Sequence, residues 1–314
     1  MTAVVCLRCA DLPERPPALR ARDALATREL GDDLDPDHYA AIQAAMWRHP
    51  LSRAALRVWI LEQDDAVVAT FDTLDVTVRV RGPDGAVAVR TGACVASGFV
   101  APEHRRAGHG RRLAGELTRR LAREGHALVY GVVETSMKVY SEVDADTTAL
   151  IERAWPAADA PVPQDSPEPP AALLDLAAWR APPLAGALDI LVTADMLAWR
   201  LERLALERPQ DRDRPIGARL GDAMAIWVSA PERDALELLH LRGDARTLRP
   251  LVDAARREAA ARGLATAIAW ETPALTPQLP PGERRPIDAL LGVRTFDPDL
   301  AACAWRDAQI GHYF

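Results

Sequence analysis

The sequence predicts an α/β (α+β) fold in two units, and three observations carry that expectation. Short strand-forming runs alternate with helical patterns along most of the chain. Six prolines crowd residues 156–170, PAADAPVPQDSPEPP, and mark an extended linker. The order strand, helix closing on glycine, strand occurs at 93–133 and echoes loosely at 235–271. The chain has 314 residues, 49% of them hydrophobic, which is enough to bury two cores. The expected division is therefore a first unit at 1–155, a linker at 156–170 and a second unit at 171–314.

The elements follow in order. AVVCLR reads as a first strand. ALRARDALATREL and DPDHYAAIQAAMWRH read as helices. RVWILEQ and AVVATFDTLDVTVRV are strand-like, joined by a turn at Asp64–Asp65. Pro83-Asp84-Gly85 signals a tight turn before the strand TGACVASGFV. In GRRLAGELTRRLAREG, Leu113, Leu117 and Leu121 recur at helical spacing and Gly125 stops the helix. HALVYGVVE is a buried-type strand, and SMKVYSEV opens another helix. Beyond the prolines, TADMLAWRLERLALE and ARTLRPLVDAARREAAARG are helices. AMAIWVSA and ALELLHLRG form a hairpin around Pro231–Asp234, and LATAIAWE is a strand. This last group is a candidate degenerate copy of the 93–133 unit.

Composition narrows the function classes. The net charge of −7 favours neither nucleic acid nor an anionic membrane as partner. No run of about 18 apolar residues is free of charge, so no transmembrane helix is expected. The N-terminus lacks a basic segment ahead of a long apolar one, which predicts a cytoplasmic protein. Cys6 and Cys9 form a CxxC with no second pair or histidine cluster nearby, and no metal is expected.

Against that acidic background, residues 96–112 read ASGFVAPEHRRAGHGRR. A strand feeds through a short basic turn into a helix. Glycine allows close backbone approach, the helix N-terminus attracts anions, and the arginines add charge. Together these describe a pyrophosphate pocket. The spacing is neither GxxxxGK[ST] nor GxGxxG; it is Arg-x-x-Gly-x-Gly at Arg105, Gly108 and Gly110.

This stretch resembles the acetyl-CoA loop of the GCN5-related N-acetyltransferase (GNAT) superfamily. The resemblance implies a central mixed, mostly antiparallel sheet flanked by helices, with acetyl-CoA as cosubstrate. It places the cofactor on Phe99, Val100, Arg105, Arg106, Ala107, Gly108, His109, Gly110 and Arg111, with the pantetheine arm along Ala96–Val100. It also implies that Tyr140 protonates the departing thiolate, a fitting role for an acid of pKa near 10. Arg57-Val58-Trp59-Ile60-Leu61 and Glu134–Tyr140 are similar to segments of fungal lysine N-acetyltransferases of the Lyc1 type. Asp144-Ala145 replaces the family's usual Gly-aromatic pair, which points to rearranged last strands.

The implied reaction is direct acetyl transfer to the amine of a small molecule, an amino acid such as lysine or another amine. A backbone N–H of strand 93–100 would polarise the thioester carbonyl. Glu134 is the first candidate for the base, with Asp72 and Glu103 as alternatives. His312 or the terminal carboxylate is a further candidate if the second unit caps the first. Cys94, in mid-strand, reads as core. Two other readings stay open: transfer of a different acyl group, and a CoA-binding regulatory module without turnover. A monomer or homodimer is expected, with no nucleic-acid or membrane partner.

Overall fold

The computed structural model describes residues 2–11, 16–30, 35–81, 84–134, 145–158, 187–301 and 304–307. The first half contains β1 (Thr2–Arg8), α1 (Pro17–Leu30), α2 (Pro36–Arg48), α3 (Pro50–Ala55), β2 (Leu56–Gln63), β3 (Ala66–Arg81), β4 (Val87–Val100), α4 (His109–Arg123), β5 (Leu128–Glu134) and β6 (Asp146–Pro156). The second half contains β7 (Ala187–Ile190), α5 (Ala194–Glu207), β8 (Gly217–Leu220), β9 (Ala223–Ala230), β10 (Ala235–Arg242), α6 (Ala245–Ala261), β11 (Thr266–Trp270), β12 (Glu283–Thr295), α7 (Pro298–Ala301) and β13 (Ala304–Asp307). Residues 159–170 of the proline-rich segment lie outside the described residues, as does the helix expected from SMKVYSEV.

Local chemistry accounts for the element ends. Asp35 caps α2 by accepting from the N–H groups of Asp37 and His38, with Pro36 at the first helical position. Asp64 and Asp65 both take positive φ, 52° and 64°, the two-residue turn that suits a twisted hairpin. The amphipathic pattern of α4 puts Leu113, Leu117 and Leu121 against Trp59, Phe71 and Val129 of the sheet. Burying each leucine contributes roughly 1.5–3 kcal/mol. The C-terminal end of α4 is fastened electrostatically. Glu124 accepts from Arg8 at 3.1 Å, from Arg120 at 3.0 Å and from Arg57. Burial alone would raise its pKa. The Arg57 and Arg120 hydrogen bonds and the Arg8 charge outweigh that and hold it at about 2.

The strands form one mixed sheet, ordered β1-β2-β3-β4-β5-β12-β6-β11-β10-β9-β8, with β7 pairing β3 and β13. Most ladders are antiparallel; β4–β5, β10–β11 and β7–β13 are parallel, the first two joined by the strand–helix–strand crossovers that parallel neighbours need. The sheet agrees with the fold class expected from the sequence, and β8–β9–β10–α6–β11 repeats the order β2–β3–β4–α4–β5. The last strands depart from simple sequence order. β12 from the second half pairs β5, and β6 from the first half pairs β11. The two exchanged strands pair with each other at the middle. Helices cover both faces. In the first unit α4 packs one face, while α1 and α2 cover the other through Leu19, Trp47, Val58 and Ile60.

Candidate active site: an open helix N-terminus beside a split pair of strands

The segment between β4 and α4 is built from its residue types. Pro102 opens a 3-10 turn over Pro102–His104, and Arg105 Nε donates to the Val100 carbonyl at 3.2 Å. Arg106 and Gly108 then take positive φ, 63° and 79°. Backbone coiled in this way turns N–H groups into a concave anion nest. Gly108 is the N-cap of α4, and no side chain caps that helix. Its first-turn amides therefore present the positive end of the helix dipole without an internal carboxylate. Arg105, Arg106, Ala107, Gly108 and Arg111 are exposed, His109 is half-buried and Gly110 is buried. The His104 and His109 rings meet edge to face across the turn, 5.9 Å apart.

Beside the turn, β4 and β5 part. Their parallel ladder runs from Gly92–Leu128 to Val95–Gly131 and ends there, although β4 continues to Val100 and β5 to Glu134. A bulge explains the parting. Thr70 pairs Phe99 and Asp72 pairs Ala96, so Phe71 alone faces Ser97 and Gly98. Ser97 takes a positive φ of 49°. At Gly98 a Cβ would overlap the Phe71 ring, so the close approach there requires glycine. The Phe99 side chain turns to the other face and packs with Ala26 and Tyr39.

On that other face lies a buried charge cluster. Arg22, from α1, pairs with Asp23 at 3.2 Å and, through its second nitrogen, with Asp72 of β3. Burial pushes the Asp72 carboxyl up and Arg22 pulls it back; the net direction is upward. Burial likewise works against the Arg22 charge, but Asp72 and Asp23 overcome it and hold the guanidinium pKa above its ordinary value. A cavity of about 40 Å³ adjoins this cluster, lined among others by Arg22, Asp72, Ala96, Ser97, Trp199 and Arg203.

Sequence reasoning brought Phe99–Arg111 together as one continuous segment, and the structure keeps them at one turn. Glu134 ends β5 and its backbone pairs with Ala289 of β12. Its side chain, Tyr140 and His312 lie outside the described residues. Glu103 sits exposed in the turn, and Cys94 is buried in the sheet core. Cys6 lies in β1, half-buried, and Cys9 is buried with its thiol 3.0 Å from the Trp47 carbonyl. No metal-binding cluster and no helix long and apolar enough to cross a membrane occur among the described residues. Sequence reasoning missed Arg22, Trp199 and Arg203. Arg22 is one of three arginines in α1, and nothing in the local pattern separates it from the others.

Comparison with known proteins agrees with this geometry. Residues 34–147 match the family model described as an acetyltransferase (GNAT) domain. No curated protein matches the sequence. Among solved structures, a conserved protein from Enterococcus faecalis is similar at a TM-score of 0.59 and 12% identity, covering 95% of this chain and 73% of its own. A GCN5-related N-acetyltransferase from Kribbella flavida gives 0.58 and 13%, covering 96% and 73%. One from Anabaena variabilis gives 0.55 and 14%, covering 94% and 73%. At these identities the likeness is one of fold, and it extends over both halves of the chain.

Proposed function

We propose, from the match of residues 34–147 to an acetyltransferase (GNAT) domain, that the protein is an acyltransferase that acetylates a small amine with acetyl-CoA. One observation carries the reading: the uncapped N-terminus of α4 opens beside the unpaired end of β4. A pyrophosphate seated on Arg105–Arg111 would meet backbone amides, a helix dipole and arginine side chains together. The pantetheine arm would then extend along Ala96–Val100, the stretch of β4 that β5 leaves unpaired. This arrangement delivers the thioester to the bulge at Ser97–Gly98.

In the proposed reaction a β4 amide polarises the thioester carbonyl as negative charge develops on oxygen. The amine nitrogen bonds to the carbonyl carbon, and the carbon–sulfur bond breaks. Glu134 takes the amine proton, directly or through water, and Tyr140 gives a proton to the leaving sulfur. α5 caps the acceptor side, and a lysine-like amino acid is one acceptor of suitable charge. No metal takes part in this scheme.

Titration with acetyl-CoA, followed by thiol release with a panel of amines, tests the reading. Stoichiometric binding and amine-dependent release are expected. Tyr140→Phe should leave binding intact and lower kcat by about 10²–10⁴-fold, the usual contribution of a positioned acid. Full activity in that variant removes Tyr140 from the chemistry; absence of acetyl-CoA binding by the wild type removes the function.

A further inference from the structure

The cavity behind the β4 bulge is made by both halves of the chain. Arg22 comes from α1, Gln43 and Met46 from α2, Asp72 and Thr73 from β3, and Ala96 and Ser97 from the bulge itself. Trp199 and Arg203 come from α5, across the proline-rich segment. α5 is held there by the Trp199 Nε1–Ser52 Oγ hydrogen bond of 2.8 Å, and by packing of Trp199 on Ile42 and Met46.

The charges in this cluster are unevenly satisfied. Arg203 donates to Glu207 at 2.7 Å. The Arg22 guanidinium is shared between two carboxylates, Asp23 and Asp72. Asp72 gives one oxygen, Oδ2, to Arg22; its other oxygen, Oδ1, is buried with no hydrogen-bond partner. A buried carboxylate oxygen without a donor has lost its hydration and gained nothing in return. Asp72 stands directly opposite Ala96 in the β3–β4 ladder, one residue before the bulge. The unsatisfied oxygen thus belongs to the residue nearest in register to the end of the thioester's track.

We propose that Asp72 is the acceptor-binding residue of this enzyme, its Oδ1 receiving the primary ammonium group that is to be acetylated, in a pocket whose far wall is α5. This rests on the acetyl-transfer reading above. A space of about 40 Å³ is enough for an ammonium head. The ammonium supplies the missing donor and the charge that a half-shared guanidinium leaves over. Asp72 holds the nitrogen through the N–H that the amide product keeps; of the other two protons, one leaves to solvent before attack and the second goes to the base as the carbon–nitrogen bond forms.

The test is a split between acceptor KM and the cofactor. L-lysine, spermidine and ethylamine are assayed by thiol release with the wild type and Asp72→Asn, and acetyl-CoA binding is titrated in both. Asp72→Asn should raise the acceptor KM at least 10-fold for each reactive amine while acetyl-CoA affinity stays within 2-fold. Because this change leaves the Arg22 charge short of a partner, the double variant Arg22→Met/Asp72→Asn is measured in parallel. It should show the same rise in KM with the same intact acetyl-CoA binding. An unchanged acceptor KM in either folded variant overturns the assignment of Asp72 and leaves acetyl transfer standing. No thiol release by the wild type with any of the three amines overturns both.

Discussion

The chain builds the same strand–turn–helix–strand unit twice, and the two copies differ at the point where a ligand would sit. In β4–α4–β5 the parallel ladder stops at Val95, a bulge follows at Ser97–Gly98, and a turn of eight residues, 101–108, leads to an uncapped helix. In β10–α6–β11 the ladder stops at Glu237, and a register shift follows between Leu238 and His240. There the likeness ends. Leu239, at that shift, is fully buried and packs with Val228 and with Leu201 and Leu204 of α5. The turn shrinks to Gly243 and Asp244. Asp244 fills the N-terminus of α6, accepting from the Thr247 N–H in a reciprocal capping box. Those hydrogen bonds hold its carboxyl below the ordinary range. The second unit retains the scaffold, with a carboxylate at the helix N-terminus that the first unit leaves uncapped and a buried leucine at its register shift. An anion site is a matter of what the chain leaves unfilled.

The largest expected effect comes from sealing the first unit in the same manner. Gly108→Asp puts a carboxylate on the α4 N-cap, where glycine now sits at φ 79° and a Cβ would meet nothing within 4 Å. Space is available, so the fold should survive with modest backbone strain. Repulsion between this carboxylate and a pyrophosphate should abolish acetyl-CoA binding in calorimetric titration. Undiminished binding would separate α4 from the cofactor site altogether.

The reciprocal change is smaller and sharpens the comparison. Asp244→Ala uncaps α6 without supplying the long turn, the arginines or an open split. Urea unfolding should register a loss of about 1 kcal/mol, the usual worth of an N-cap. Acetyl-CoA stoichiometry should stay as in the wild type. A second equivalent bound by this variant would mean that the cap alone had closed the second unit.

The smallest effect concerns how each helix is tied down at its other end. α6 ends on Arg262, which donates to Glu258 and Ser229, whereas α4 ends on Glu124 among three arginines. Because the folded pKa of Glu124 is depressed from 4.5 to about 2, its stabilisation is present above about pH 4.5 and is lost as pH falls towards 2. Glu124→Gln should lower the urea midpoint at pH 7, and its difference from the wild type should shrink steadily below pH 4.5. Partial exposure and salt screening keep this contribution small. A difference independent of pH down to about 2.5 would mean that packing, and not charge, holds this end of α4.

The turn before α4 was legible because its information is local. Gly108, the arginines and the strand before them are contiguous, and their conformational and electrostatic preferences act within a few residues. The hairpin at Pro231–Asp234 and the helices ending at Gly125 and Gly263 were legible for the same reason. β12 was not: ERRPIDALLGVRT carries charges and a proline, and it forms a strand because β5 and β6 offer it two ladders. Pro286 is tolerated where the β12–β6 register shifts. Asp72 was visible only as one carboxylate among several, since its meaning depends on Arg22, 50 residues earlier, and on a helix beginning at Ala194.

By itself the sequence determined the α/β class, the basic turn and its helix, and the absence of a matching turn in the second half, because hydrophobic period, glycine and charge are properties of neighbours along the chain. Only the tertiary structure decided that the halves exchange β6 and β12, that β4 bends away from β5, and that α5 closes the cavity over Asp72. Those outcomes depend on which distant backbone edges find hydrogen-bond partners and which buried charges find counter-charges, and such pairings are settled by the whole fold at once.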